Sequence, residues 1–157
     1  MTFISDTFQV PQKLEAADFT LRKLCYADAE LDYEAVMSSI GIIKKTRGFD
    51  GWPTTTLTLE ENKNDLIRHQ QEFESRISFA YTLMNLDETK CLGCVYLYKP
   101  GHRNEESLAG DVDVNFWVTQ EAFDRGLYKK LYEVIDPWLR NTWHFKNVVY
   151  TNETMPT

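Results

Sequence analysis

Alternation of apolar and polar residues is sharpest between Asp111 and Thr119. Val112, Val114, Phe116 and Val118 fall on one side of the chain, and Asp113, Asn115, Trp117 and Thr119 on the other. A period of two predicts a β-strand. The period then changes. Leu127, Leu131, Val134, Ile135, Trp138 and Leu139 recur every three or four residues, which predicts an amphipathic helix laid on a sheet. Pro137 removes a hydrogen bond from that helix and crowds the turn before it, so a kink near Asp136, or a second short helix starting there, is expected. The turn between strand and helix holds Gly126. A strand running through such a turn into a helix offers unpaired N–H groups and the positive end of a dipole, which suits an anion.

Upstream, residues 1–17 carry little pattern. Phe19 and Leu21 alternate with Thr20 and Arg22, predicting a first strand over Asp18–Leu24. Asp28 is a suitable N-cap for a helix to about Ile40, with Leu31, Ala35, Val36 and Ile40 as its apolar stripe and Gly41 near its end. Residues 44–55 (KKTRGFDGWPTT) read as irregular backbone, marked by Gly48, Gly51 and Pro53. Trp52 stands there beside Arg47 and Phe49, either as an acceptor-side lid or as a plug between two helices. Thr58 to Glu61 form a capping box, opening a helix to about Arg76 that turns Leu59, Leu66, Phe73 and Ile77 inward. His69 falls on or near that face, as a hydrogen-bonded packing residue. Ser78–Leu86 and Cys91–Tyr98 flank Asp87–Lys90 and predict a β-hairpin. Both strands are apolar on both faces and belong mid-sheet under helices. Gly93 marks a bulge or a close approach. Residues 99–110 read as a surface loop with His102 and Arg103 solvated, and Asn147–Thr151 as a last strand. The order implies a mixed α/β (α+β) sheet in one domain spanning 1–157, with its core at about 18–152.

Length agrees with a single domain. The net charge of −7 argues against a general nucleic-acid binder. No apolar run approaches the roughly 20 residues that span a bilayer. The opening MTFISDTFQV has no basic or apolar signal region, so a cytoplasmic setting is expected. Cys91-Leu-Gly-Cys94 has a metal-ligand spacing. No second pair follows it, and residues three apart in a strand face opposite sides, so no metal site is expected.

The Asp111–Trp143 unit, with the LGCVYL run at 92–97, resembles the central strand–turn–helix of the GNAT superfamily of acyl-CoA N-acyltransferases. The family's turn reads Gln/Arg-x-x-Gly-x-Gly/Ala, and the matching residues here are Phe123, Asp124, Arg125, Gly126, Leu127 and Tyr128. Gly126 fits; Phe123 and Tyr128 depart. The resemblance implies acetyl-CoA or another acyl-CoA as cofactor. Its pyrophosphate would rest on Arg125, Gly126, Leu127, Tyr128 and Lys129, with Lys130 nearby. Its pantetheine arm would pair with the backbone of Phe116, Trp117 and Val118 where two parallel strands splay, with Asn152 on the same side. Asp113 would act as base, Tyr150 as the leaving-group acid, and Trp52 and Asn115 would meet the acceptor. Two functions are implied: transfer of an acetyl group to a small-molecule or protein amine, or a catalytically inactive GNAT-like fold serving as a binding or dimeric interaction module. Phe123 and Tyr128 in the cradle favour the second. The family's closing helix and two strands have no counterpart in the 157 residues, so that either a homodimer partner completes the acceptor pocket or nothing does and the fold has lost its activity.

Overall fold

The computed structural model describes residues 3–48 and 51–157. Phe49, read as part of the loop around Trp52, lies outside them. Among the described residues six strands form one sheet in chain order: β1 (Lys13–Glu15), β2 (Thr20–Lys23), β3 (Phe79–Met84), β4 (Cys91–Tyr98), β5 (Val112–Val118) and β6 (Val148–Tyr150). Neighbours are antiparallel except β5 and β6, which run parallel. The helices are α1 (Ala29–Met37), α2 (Ile40–Arg47), α3 (Leu59–Glu74), α4 (Gln120–Asp124) and α5 (Leu127–Asn141). This is the expected mixed α/β sheet. No helix among the described residues is long and apolar enough to cross a membrane.

The alternation in β5 sorts the core into two layers. Val112, Val114, Phe116 and Val118 pack with Leu127, Leu131, Ile135 and Leu139 of α5. Trp117, on the other face, packs with Tyr96 and Cys94 of β4, Val36 of α1, Ile43 of α2 and Leu66 of α3. Every residue of β3, β4 and β5 is buried, as expected for central strands covered on both faces.

Several local expectations are corrected. The lead-in contains β1, too short for its pattern to register; Leu14 pairs with Leu21 of β2. Asp28 makes no capping bond, because its carboxylate accepts two bonds from the Arg22 guanidinium. The first helix does not run on to Ile40. It breaks at Ser38–Ser39, where the Ser38 hydroxyl donates to the Ala35 carbonyl and competes with helical pairing. Gly41 therefore lies inside α2, which continues through Arg47 and ends at Gly48, whose φ of +73° suits a glycine. The capping box of α3 forms in both directions, with Leu66, His69 and Phe73 buried. Leu59, the first residue after the Thr58 cap, is exposed instead, and so is Ile77, because the helix has ended and Arg76 stands at φ +60° before Ile77 can join its inner stripe. The turn after β5 holds the short helix α4, capped by the Thr119 hydroxyl. Helix α5 runs through Pro137 without a second helix starting at Asp136. Pro137 is exposed, as is Glu133 one turn earlier, and carbonyls on a solvent face can tilt outward to accommodate the ring.

Gly93 is the close approach that the sequence suggested. A Cβ there would stand 2.1 Å from the carbonyl oxygen of Trp117 and 3.0 Å from Cα of Val118, both in the backbone of β5. Gly93→Ala must push two central strands apart, so a loss of about 3 kcal/mol or outright insolubility is expected. Thermal unfolding checks it: an unchanged midpoint would mean that the strands are not held this close.

Candidate functional site

The first region is the N-terminus of α5. Gly126 stands at its cap with φ +84°, makes no side-chain cap, and has open space where a Cβ would be. The first amides of α5, at Leu127, Tyr128 and Lys129, lie in the turn where a helix has no internal partners for its N–H groups. Arg125 and Lys130 line one adjoining cavity of about 400 Å³, with Asp18, which pairs with Lys130. Lys129, Gly126 and Tyr128 line another of about 230 Å³, closed on its far side by Thr154–Thr157. Free amides, a helix dipole and three cations suit a diphosphate. This end of the site therefore fits the headgroup of an acyl-CoA.

The second region is the opening between β5 and β6. Main-chain register runs only from Val112–Val148 to Val114–Tyr150. One more bond follows, from Thr151 N–H to the Val114 carbonyl. Beyond it the chains part, and the Asn152 side chain spans the gap. Its Oδ1 accepts from the Phe116 N–H at 3.1 Å, and its Nδ2 donates to the Phe116 carbonyl at 2.9 Å. Asn152 thus occupies the backbone groups that the resemblance assigned to the pantetheine arm. The segment after it is anchored too. Thr154 donates from its N–H and its hydroxyl to the Thr46 and Lys45 carbonyls of α2, and Glu153 packs on Gly48. Tyr128 locks the arrangement: its ring lies against Phe116 and Phe123, its hydroxyl donates to the Thr154 carbonyl, and it accepts from Asn152 Nδ2. Burial pushes the Tyr128 phenol up to about 12, so it stays neutral and a donor. At this end the chain's own residues 152–155 fill the space an arm would need.

The third region lies on the opposite face of the sheet. A cavity of about 270 Å³ is lined by Arg47 and Trp52, by Tyr96 and Tyr98 of β4, by Asp65, Arg68 and His69 of α3, and by His102 and Arg103. Tyr96 and Tyr98 point the same way because they alternate along β4. The Arg47 guanidinium lies 4.3 Å from the Tyr96 ring centre and 5.1 Å from that of Trp52, and it donates to Asn115 Oδ1. Trp52 also packs on Trp117. Its ring therefore both fills a gap and walls the cavity. His69 is almost fully buried, and burial lowers its ring to about 4, so it is neutral 3.7 Å from the Asp65 carboxylate. His102 stacks on Tyr98 with ring centres 3.7 Å apart, and desolvation lowers it as well. His102 is exposed, as the sequence had suggested, though stacked on Tyr98, whereas Arg103 is half-buried and held by hydrogen bonds. Arg103 donates its main-chain N–H to Asp113 and its guanidinium to the Arg47 carbonyl.

The two residues assigned to acid–base work are not brought together. Asp113 faces the α1–α3 side of the sheet, whereas Tyr150, opposite Val114 in the register, faces α5. Asp113 accepts three bonds, from the Arg103 N–H, the Ser107 hydroxyl and the Thr151 hydroxyl. Its carboxylate ties the 99–110 loop and the segment after β6 to the sheet. The Tyr150 hydroxyl donates to Asp136, and burial, then that bond, raise its pKa. Sequence reasoning named Trp52 and Arg47 on the acceptor side but missed Tyr96, Tyr98 and His69 as walls of the same cavity, and the alternation of Tyr96 and Tyr98 was the sign it passed over.

No family model matches the sequence, and no curated protein matches it. Solved structures do match the fold. A ribosomal-protein-S5-alanine acetyltransferase from Vibrio fischeri aligns at a TM-score of 0.66 and 14% identity, over 88% of this chain and 72% of its own. A GNAT-family acetyltransferase from Bacillus anthracis aligns at 0.63 and 12%, over 88% and 72%. RimL, a ribosomal L7/L12 α-N-protein acetyltransferase in complex with coenzyme A, aligns at 0.59 and 12%, over 83% and 67%.

Proposed function

The chain has the GNAT acetyltransferase fold, and from it we propose that the protein is an N-acyltransferase that moves an acetyl group from acetyl-CoA to an amine. The observation that carries this reading is the Gly126-capped N-terminus of α5, open beside Arg125 and Lys129, next to a pair of parallel strands that part after Val114. Arg125, Lys129 and the amides from Leu127 to Lys129 would hold the diphosphate. The backbone from Phe116 to Val118 would take the arm once residues 152–155 move. The bound cofactor would supply the activated acyl group. The acceptor amine, from a small molecule or a protein, would enter from the cavity between Trp52, Tyr96 and His102. There His102 is better suited than Asp113 to take the ammonium proton: desolvation favours its neutral form and it lines the cavity, while the oxygens of Asp113 are engaged by three donors. A cytoplasmic setting and a homodimer belong to the same proposal.

One observation favours a second reading, a GNAT-like binding module without transfer. It is the closure of the arm groove by Asn152 and Tyr128. Thermal unfolding with acetyl-CoA separates the two. A ligand at 100 times its dissociation constant adds about 2.7 kcal/mol, or roughly 5–10 °C for a chain of this size. That shift is expected, and Arg125→Ala should reduce it. No shift at millimolar acetyl-CoA would leave only the binding module.

A further inference from the structure

A buried cluster lies beneath α1, where the function above has no use for it. Asp32, Cys91 and Cys94 are all buried, and one ligand atom from each lies within 4.8 Å of the others. The strand argument placed the two thiols on opposite faces. The register corrects it: Leu83 pairs with Gly93 and Met84 with Cys91, so Leu92 is an extra residue. This bulge turns Cys91 to the side that Cys94 faces.

We propose that Asp32, Cys91 and Cys94, with Asn62, form a binding site for a thiophilic divalent ion, Zn²⁺. The donors are two thiols, which would bind as thiolates, and a carboxylate, three ligands of the kinds zinc takes tetrahedrally, and the Asn62 carbonyl would be the fourth. In such a shell, bonds of about 2.0–2.3 Å set ligand atoms roughly 3.5–3.8 Å apart. Small side-chain rotations close the difference.

Three further observations support the site. First, Asp32 is a buried carboxylate, and among the described residues no cationic side chain pairs with it. It accepts only from Asn62 Nδ2 at 2.8 Å and Cys94 Sγ at 3.5 Å. Buried carboxylates are normally paired or metal-bound. Second, Asn62 is itself buried, and its Oδ1 has no hydrogen-bond partner although the same amide touches Asp32. Third, a cavity of about 250 Å³ between α1 and the start of β4 reaches Cys91, and Glu34, Ser38, Thr119 and Glu121 line it with Lys90. Glu121 there pairs with Lys90, and Glu34 leaves the way in with one unpaired carboxylate among the described residues. The surroundings are soft as well: Thr82 bonds to both the Cys91 thiol and the Met84 sulfur.

Binding would break the Cys94–Asp32 hydrogen bond and form two Zn–S bonds and a Zn–O bond, with the Asn62 carbonyl as fourth ligand. The two thiol protons leave to solvent. No oxidant or reductant is involved.

The test uses the full chain, reduced and stripped of metal. After Zn²⁺ addition and dialysis, about one zinc per chain should remain, and the unfolding midpoint should rise. Co²⁺ in place of zinc should give the intense absorption of thiolate-to-metal charge transfer. Cys91→Ser, Cys94→Ser and Asp32→Asn should each abolish stoichiometric retention with the circular dichroism unchanged, while Cys25→Ser should retain it. If these variants do not fold, the wild-type Co²⁺ spectrum decides alone. Absence of the thiolate band, or a band that survives loss of Cys91 and Cys94, would overturn the site.

Discussion

Asp113→Ala is expected to cost about 3–5 kcal/mol of unfolding free energy, since it removes three hydrogen bonds to a carboxylate, each worth about 1.5–3 kcal/mol before the freed donors find other partners. The wild-type carboxylate is fully buried and accepts three bonds. Alanine would leave the Arg103 N–H without an acceptor and send the Ser107 and Thr151 hydroxyls to the Asn104 and Val114 carbonyls. It would also release two segments at once, the 99–110 loop and the chain after β6. At about 2–4 °C per kcal/mol, the midpoint should fall by roughly 6–20 °C. Asp113→Asn is the informative control. Its amide oxygen can keep the two bonds from Arg103 and Ser107. The Thr151 hydroxyl can accept from its nitrogen and turn its proton to the Val114 carbonyl, already 3.3 Å away. A loss of only about 1 kcal/mol is expected, close to one ordinary hydrogen bond. The pair also decides the residue's role. A clamp predicts that the asparagine variant keeps the acetyl-CoA stability shift and any transfer activity. A base predicts a folded protein with no transfer. Denaturant unfolding and an acetyl-transfer assay on that variant separate them.

This comparison marks where the sequence was informative. The turn at Gly126 was legible because it sits between two clean periods, Val112 to Val118 and Leu127 to Leu139. The double burial of β3 and β4 and the capping box at Thr58 were legible for the same local reason. The break at Ser38–Ser39 was not. It depends on which hydrogen bond a serine chooses, and periodicity is silent about that. Asn152 was read as lining the cofactor side. Its bonds to Phe116, 36 residues away, appear only once β6 lies beside β5. Cys91 and Cys94 were misjudged because a bulge changes the arithmetic of a strand, and nothing in the LGC run announces where Leu92 falls out of register. Long-range contacts therefore decide the details of the site, although local pattern decides the frame around it.

Tyr128→Ala should tighten acetyl-CoA binding even as it weakens the fold. The wild-type tyrosine does two things. Its ring fills space between Phe116 and Phe123, and its hydroxyl holds both the Thr154 carbonyl and the Asn152 amide. Losing the ring from a buried site costs about 3 kcal/mol, so the midpoint without ligand should drop. Binding responds in the other direction. For the arm to reach the Phe116 backbone, Asn152 must leave it, and the chain from 152 to 155 must swing away. The fraction of molecules already open multiplies the apparent affinity. Two hydrogen bonds worth about 0.5–1.5 kcal/mol each hold Tyr128 to that chain, and removing them should raise the open fraction about tenfold. Alanine at this position also matches the small residue of the family's turn, so nothing bulky replaces the ring. Calorimetric titration with acetyl-CoA measures the outcome directly. A dissociation constant about tenfold lower, with an unfolding midpoint lower than wild type, is the expected pair of results. A weaker or absent interaction in a folded variant would mean that Tyr128 is part of the headgroup cradle rather than a latch on the arm groove. Asn152→Ala then separates latch from cradle, because it frees the Phe116 N–H and carbonyl while leaving the Tyr128 ring and the first amides of α5 in place, at the loss of its own bond to the Tyr128 hydroxyl, and it should tighten binding only if the groove itself is what the chain keeps closed.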